Sequence, residues 1–124
     1  MTNTIKNFQI PVENFDRAHK FYNTLMDYEL AVMEYSGAKL GVFKFDHEAG
    51  GVGGSIIKSN DLTLSPNGTM VYLDMGNDLQ PNLDRVVPAG GKILIPKTEL
   101  GPGMGFFAII IDTEGNKIGL YSIK

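Results

Sequence analysis

Hydrophobic and polar positions divide the chain into short periodic segments that are separated by turns. Ile5 to Val12 predicts a strand, and Asn14 is placed to cap a following helix with its side-chain oxygen. The apolar residues of this helix recur at helical spacing and predict one buried face: Phe15, Ala18, Phe21, Tyr22 and Leu25. Three strand-like segments follow: Glu29–Tyr35, Lys39–Phe45 and Gly53–Ile57.

The same order of elements recurs in the second half. Thr69–Met75 predicts a strand, and Asn77 or Asp78 is the expected cap of a second helix that Gly90-Gly91 ends. The apolar face of that helix is predicted to comprise Leu79, Leu83, Val86 and Val87. Three further strands are predicted: Lys92–Lys97, Phe106–Asp112 and Lys117–Ile123. The order β-α-β-β-β, found twice, predicts an α+β fold built from two βαβββ modules.

The length of the chain favours one domain. Each module has about 55 residues, which is too few to bury both a helix and a sheet face alone. We therefore expect a single domain over residues 1–124, with module 1 at about 5–58 and module 2 at about 69–123. The connector from Ser59 to Gly68 is rich in Ser, Asn and Pro. The alternative is an unrelated α+β domain in which the spacing is fortuitous.

The amino-acid composition limits the cellular location and the classes of binding partner that are expected. The absence of cysteine excludes disulfides and thiolate metal sites. A net charge of −3 argues against nucleic acid as a partner, because phosphate binding requires a basic face. The chain contains no long apolar run, and its start lacks the basic head and apolar segment of a signal peptide. We expect a cytoplasmic protein that binds neither membrane nor nucleic acid.

Several segments carry a resemblance to a known family. Phe8 to Ala18, followed by Phe21-Tyr22, resembles the opening of the vicinal oxygen chelate superfamily of glyoxalase I, bleomycin-resistance proteins, fosfomycin-resistance enzymes and extradiol dioxygenases. Three later segments resemble the second half of its small glyoxalase-like members: Ala89–Ile93, Pro96–Thr98 and Asp112–Leu120. The resemblance implies a glyoxalase-like fold in which the modules surround a shared cleft. It also implies a homodimer, with modules exchanged or packed side by side.

The resemblance allows the family's metal positions to be compared residue by residue. Metal-dependent relatives hold a divalent ion with His, Gln or Glu from the first, fourth, fifth and eighth strands. These positions fall here on Asn7, Ser55–Ile57, Thr69–Val71 and Gly119, none of which offers an imidazole or a carboxylate. We therefore expect no metal ion and no cofactor.

The two histidines are not expected to supply the missing ligands. His19 is predicted to lie on a solvated face of the first helix. His47 lies between Asp46 and Glu48, a sequence that favours a polar turn over a metal site.

Side-chain alternation groups residues on the strand faces that, by the resemblance, line the cleft. Asn7 and Gln9 share one face of the first strand, and Gly119 and Tyr121 share one face of the last. Gly119 would leave room for a ligand group or a neighbouring aromatic ring. Four aromatic residues are candidates for a cleft wall, and Phe106 and Phe107 must point in opposite directions: Phe43, Tyr72, Phe106 and Phe107. The predicted ligand-binding set is Asn7, Gln9, Tyr72, Phe107, Gly119 and Tyr121, and no catalytic residue is assigned.

Three functional hypotheses remain open. The favoured one is a metal-free member that binds a small organic molecule in its cleft, as drug-binding resistance proteins do. The second is a metal-dependent lyase, isomerase or dioxygenase whose ligands lie at other positions. The third is a non-catalytic regulatory or interaction module with a vestigial cleft, since fold alone does not determine chemistry.

Overall fold

The computed structural model describes residues 4–60 and 68–124 and contains the predicted repeat. The first module comprises β1 (Asn7–Pro11), α1 (Phe15–Met26), β2 (Ala31–Tyr35), β3 (Ala38–Val42) and β4 (Gly53–Lys58). The second comprises β5 (Val71–Asp74), α2 (Gln80–Asp84), β6 (Lys92–Glu99), β7 (Phe106–Ile111) and β8 (Lys117–Ser122). The predicted βαβββ order and the α+β class are therefore confirmed. Most of the predicted connector lies outside the described residues.

Each module forms one four-stranded mixed sheet. The strand orders are β1-β4-β3-β2 and β5-β8-β7-β6. In both sheets the first and last strands of the module pair in parallel, while the neighbouring pairs are antiparallel. Within each module the helix carries the chain from the first strand to the second, which lies at the opposite edge of the sheet. β1 and β5 are consequently edge strands of their sheets.

α1 begins and ends through local side-chain and backbone contacts. The Asn14 side chain accepts a hydrogen bond from the backbone N–H of Arg17 at 3.0 Å, as expected of an N-cap. At the other end, Asp27 adopts a left-handed conformation and its N–H bonds the carbonyl of Asn23. All five residues of the predicted apolar face are buried.

α2 differs from its prediction. It is only five residues long, and Leu79 is at the N-cap instead of Asn77 or Asp78. The carboxylate of Asp78 accepts a hydrogen bond from the N–H of Gln80 at 2.9 Å, which satisfies one group of the first turn. The expected burial of Val87 is wrong, because the chain leaves the helix after Asp84 and Val87 is 60% exposed.

One apolar core joins the two modules. It lies between the helices and the sheet faces on which they pack, and residues from both modules belong to the same cluster. Phe21 and Tyr22 of α1 are fully buried and meet edge to face, with ring centroids 4.9 Å apart. The interior therefore fixes the position of one sheet relative to the other.

The turn between β7 and β8 connects the modules through a buried carboxylate. The side chain of Glu114 is fully buried and accepts hydrogen bonds from the N–H groups of Glu13 and Asn14 at 3.0 and 2.7 Å. Its other oxygen lies 2.6 Å from Nε of Arg17. These contacts join residues about 100 positions apart and hold the start of α1 against module 2.

Two further polar contacts support this junction. The hydroxyl of Tyr22 donates to Oδ2 of Asp112 at 2.6 Å, and Nδ2 of Asn116 donates to the carbonyl of Pro11 at 2.9 Å. Gly115 has a φ of 87°, a conformation that glycine adopts without steric cost, so the turn can be tight. Burial, together with the neighbouring Asp112 carboxylate, raises the pKa of Tyr22 well above its usual value.

In the part of the chain that is described, no helix has the length and apolar character needed to cross a membrane.

Candidate functional site

Each sheet has one face covered by helices and one open face. Phe8 and Ile10 of β1 pack in or on the core, so the alternate residues Asn7 and Gln9 lie on the open face. In β5, Leu73 belongs to the core and Tyr72 points to the open side. The register then places Gly119 beside Tyr72 on the same face.

The volume over Gly119 is occupied by the ring of Tyr72. A Cβ atom added at position 119 would lie only 2.3 Å from Cδ2 of Tyr72, so no larger residue fits without movement of the ring. Gly119 is buried, whereas Tyr72 remains 53% exposed. The sequence allowed either a ligand group or a neighbouring aromatic ring in this space, and the structure has the aromatic ring there.

Module 1 contains a corresponding pair that sequence reasoning missed. Phe45 covers Gly53, and a Cβ atom at position 53 would lie 2.7 Å from Cε1 of Phe45. Gly53 pairs with Asn7 in the parallel β1–β4 ladder, as Gly119 pairs with Tyr72 in the β5–β8 ladder. Phe45 follows β3 and is 46% exposed. A glycine in the last strand of both modules is the sequence signal that indicates this pairing.

A crevice between the sheets, which we call the inter-sheet crevice, is lined by both modules. Its volume is about 810 Å³. Asn7, Phe45 and Tyr72 contribute to it from the open faces and the loop after β3. Phe8, Phe43 and Leu73 line its core side. The crevice is therefore mainly apolar and has a few polar groups at its opening.

The crevice contains a cation beside an aromatic ring and two exposed polar side chains. The ammonium of Lys44 lies 4.7 Å from the ring centroid of Tyr28, and the Tyr28 hydroxyl accepts a hydrogen bond from the Lys44 N–H at 3.0 Å. Burial raises the pKa of Tyr28 despite this hydrogen bond. Within the described ranges, the Asn7 amide and the Tyr72 hydroxyl have no hydrogen-bond partner and face solvent.

The remaining predicted ligand-binding residues lie outside the inter-sheet crevice. Gln9 borders a separate, smaller groove that it shares with Thr69 and Lys117. Phe107 and Tyr121 are paired in register on the open face of the second sheet, and the Tyr121 hydroxyl donates to the carbonyl of Met104 at 3.3 Å. The structure thus brings Asn7 and Tyr72 into one cavity and leaves the other side chains at a distance from it.

Two of the four aromatic wall candidates face the core. Phe43 packs against Phe8 and Tyr22, with centroids 5.7 and 5.5 Å away. Phe106 also packs against the core cluster, whereas Phe107 lies on the opposite side of β7. The expectation that Phe106 and Phe107 face opposite sides is consistent with this arrangement.

The family's metal ion does not fit the residues at the expected positions. Asn7 and Ser55 offer an amide and a hydroxyl, and the Tyr72 ring covers Gly119. A divalent transition metal requires several converging nitrogen, oxygen or sulfur donors, usually including imidazole or carboxylate groups. Across residues 4–60 and 68–124, no three His, Cys, Asp or Glu side chains form a group that could hold an ion.

The histidines occupy different environments. His47 lies in the exposed loop after Phe45. The prediction of a solvated position for His19 is wrong, because its ring is partly buried, stacks on Phe15 and has Nε2 2.8 Å from the carbonyl of Leu30. His19 therefore supports the packing of α1 on the segment before β2.

Comparison with known proteins agrees with this architecture. The family model described as Glyoxalase/Bleomycin resistance protein/Dioxygenase superfamily matches residues 4–120. No curated protein matches the chain significantly. A V278E mutant of glyoxalase I from Zea mays is similar in structure, with a TM-score of 0.70 and 20% identity over 94% of this chain. This chain covers only 44% of the length of that maize protein.

Two shorter proteins are similar over most of both chains. A fosfomycin resistance protein from Listeria monocytogenes has a TM-score of 0.65 and 13% identity, covering 98% of this chain and 92% of its own. A hypothetical protein from S. aureus has a TM-score of 0.66 and 16% identity, covering 98% and 94%. At these identities, the structural likeness concerns the fold alone.

Proposed function

This chain belongs to the Glyoxalase/Bleomycin resistance protein/Dioxygenase superfamily, and from that premise we propose that it binds a small organic molecule without a metal ion. The observation that carries the proposal is the Tyr72 ring over Gly119, which puts an aromatic surface where the resemblance places a carboxylate. The adjoining inter-sheet crevice of about 810 Å³ is within the usual range for small-molecule sites.

The chemistry of the crevice supports binding by shape and hydrogen bonds. Its wall is apolar, and the Asn7 amide can both donate and accept hydrogen bonds at the opening. Such a combination of an apolar wall and a few polar groups is typical of ligand sites. Of the predicted set, Asn7 and Tyr72 line the crevice and Gly119 supports the Tyr72 ring, and we propose these three for the site in the crevice. Gln9, Phe107 and Tyr121 lie outside the crevice, and their contact with a ligand stays a prediction.

A second candidate is a non-catalytic interaction module. Tyr72 and Phe45 each pack on a glycine, so the chain's own side chains fill part of the open faces. In that case the two rings would stay in place and the crevice would take no ligand. The two candidates differ in whether purified protein carries a small molecule.

The first experiment is native mass spectrometry of untagged protein purified without chelator. We expect an organic adduct on the wild-type chain, no divalent ion, and loss of the adduct in the Tyr72→Ala variant. The control is Val87→Ala, because Val87 is an exposed apolar residue after α2 that does not line the crevice.

Three other outcomes would contradict the proposal in different ways. One divalent ion per chain would favour the metal-dependent lyase, isomerase or dioxygenase hypothesis. Protein without any adduct would favour the interaction module. An adduct that the Tyr72→Ala variant retains would place the binding site elsewhere on the chain.

The proposal also includes a homodimer in the cytoplasm with neither nucleic acid nor membrane as a partner. A net charge of −3 supports the exclusion of nucleic acid, because it provides no excess of positive charge for phosphate contacts. Retention of the protein on a heparin or DNA column at physiological salt would contradict that part of the proposal.

A further inference from the structure

We infer that the inter-sheet crevice selects flat aromatic molecules, and that Phe45 is a specificity-determining residue together with Tyr72. This inference rests on the proposed function and deepens it by naming a class of ligand. Its basis is the pair of aromatic rings, one from each module, that line the same cavity.

The position of each ring is fixed by a glycine. Phe45 packs against Gly53 and Tyr72 against Gly119, in contacts that leave no room for a Cβ atom. Backbone support on one side restricts the motion of each ring, while 46% of Phe45 and 53% of Tyr72 remain exposed. An incoming molecule therefore contacts two aromatic rings whose positions are already fixed. Its binding costs the protein little side-chain entropy.

The surrounding residues favour an apolar ligand body. Phe8, Phe43 and Leu73 close the core side of the crevice, so a ring that enters between the modules is removed from water. Aromatic rings interact with one another by offset-stacked or edge-to-face contacts that saturated rings do not make. A flat ring system therefore gains from Phe45 and Tyr72 more than a saturated molecule of the same size.

The polar groups at the opening favour one hydrogen-bonding substituent on the ring. The Asn7 amide lies on the open face opposite Gly53 in register, next to the glycine that supports Phe45. Since this amide has no partner among the described residues, it is available to a ligand hydroxyl or carbonyl group. Two fused rings with one hydroxyl group are much smaller than the cavity of about 810 Å³.

The test compares two probes that differ in aromaticity, 2-naphthol and decahydro-2-naphthol. Isothermal titration calorimetry on the full chain should give an affinity about tenfold higher for 2-naphthol, which corresponds to about 1.4 kcal/mol. Phe45→Leu and Tyr72→Leu should each remove most of this preference, because leucine keeps the apolar surface and lacks the ring. Val87→Ala, at an exposed position after α2, is the control and should leave the preference unchanged.

Thermal unfolding of each variant verifies that it is folded before titration. Equal affinity of the two probes would overturn the aromatic selectivity and leave the proposed small-molecule function standing. A preference that persists in Phe45→Leu would overturn the role of Phe45. Absence of binding by both probes at millimolar concentration would overturn the inference, while the adduct measurement decides the proposed function independently.

Discussion

At the scale of single residues, Tyr72 and Gly119 depend on each other. The ring of Tyr72 fills the space that the absent side chain of Gly119 leaves, with a virtual Cβ only 2.3 Å from the ring. A side chain introduced at position 119 must therefore displace Tyr72, and overpacking of this kind typically costs about 1–3 kcal/mol. The identity of one residue thus determines the position of the other.

We predict that Gly119→Glu does not produce tight metal binding. The glutamate would supply one ligand, while Asn7, Ser55 and the start of β5 still lack strong donors. Titration with zinc and nickel should show no sub-micromolar affinity. Gly119→Ala is the size control, and the double variant Gly119→Glu/Tyr72→Ala should recover part of the lost stability because the obstructing ring is removed. Tight metal binding by Gly119→Glu would mean that the family's ligand positions had been assigned wrongly.

Glu114 is a buried carboxylate whose ionisation affects the stability of the fold. Burial tends to raise its pKa, but the hydrogen bonds from Arg17, the Asn14 N–H and the Thr113 hydroxyl outweigh burial and leave the pKa below its ordinary value. A carboxylate with a lowered pKa in the folded state stabilises the fold above its unfolded pKa. That contribution is lost as the pH falls through the lower, folded-state pKa.

We predict that Glu114→Gln lowers the free energy of unfolding by about 2 kcal/mol at neutral pH, because charge-assisted hydrogen bonds at this position become neutral ones. Below the ordinary pKa of 4.5 the difference between wild type and variant should shrink. Urea unfolding at several pH values measures both effects. Glu34→Gln, on an exposed strand, is the control and should change little. A difference that is constant from pH 7 to pH 3 would contradict the assignment to Glu114.

At the scale of elements, the start of α1 contributes both to helix capping and to the contact between the two modules. Asn14 caps the helix with its side chain and donates its backbone N–H to Glu114 of the other module. We predict that Asn14→Ala costs about 1 kcal/mol of stability, while Asn14→Ser retains most of it because serine also caps helices. Thermal or urea unfolding of the two variants provides the measurement. Equal losses in both would show that the side-chain cap contributes nothing.

At the scale of the whole molecule, the outer edges of both sheets expose apolar side chains. β2 carries Met33 and Tyr35, and β6 carries Ile93, Leu94 and Ile95, all of which are at least 39% exposed. Edge strands with apolar surface are sites of association. These edges support the prediction of a homodimer.

We predict a mass of two chains by light scattering at micromolar concentration, and of one chain for the double variant Met33→Lys/Leu94→Lys. The introduced charges would be buried without partners in any interface that uses both edges. Val87→Lys, an exposed position after α2, is the control and should remain dimeric. A wild-type protein with the mass of a single 13.6 kDa chain would contradict the prediction.

Most helices and strands could be predicted from the sequence, because the features that specify them lie within a few residues of one another. The spacing of apolar residues gave the buried face of α1, and Asn14 gave its start. Boundaries were less accurate in the second module: the strand predicted from Thr69 begins at Val71, and the helix cap moves to Leu79. Short elements have few turns or ladder bonds, so contacts with the rest of the fold decide where they end.

The candidate site was only partly accessible from sequence. Alternation placed Asn7 and Tyr72 on open faces, but it carried no information on which side chains share a cavity. Phe45 was missed because its contact with Gly53 depends on how the segment after β3 pairs with β4, where the N–H of Phe43 bonds the carbonyl of Gly54. His19 was misplaced because its hydrogen-bond partner, the Leu30 carbonyl, comes from a segment beyond the helix.

The sequence by itself determined the repeat of elements, the buried face of α1, the turn at Gly115 and the lack of strong metal donors at the family's positions. These properties depend on residue type and short-range spacing. Only the tertiary structure decided that Tyr72 covers Gly119, that Glu114 binds the start of α1, and that Gly91 lies against the ring of Phe21. Each of these contacts joins residues far apart in the chain, and the packing of one shared core sets their distances.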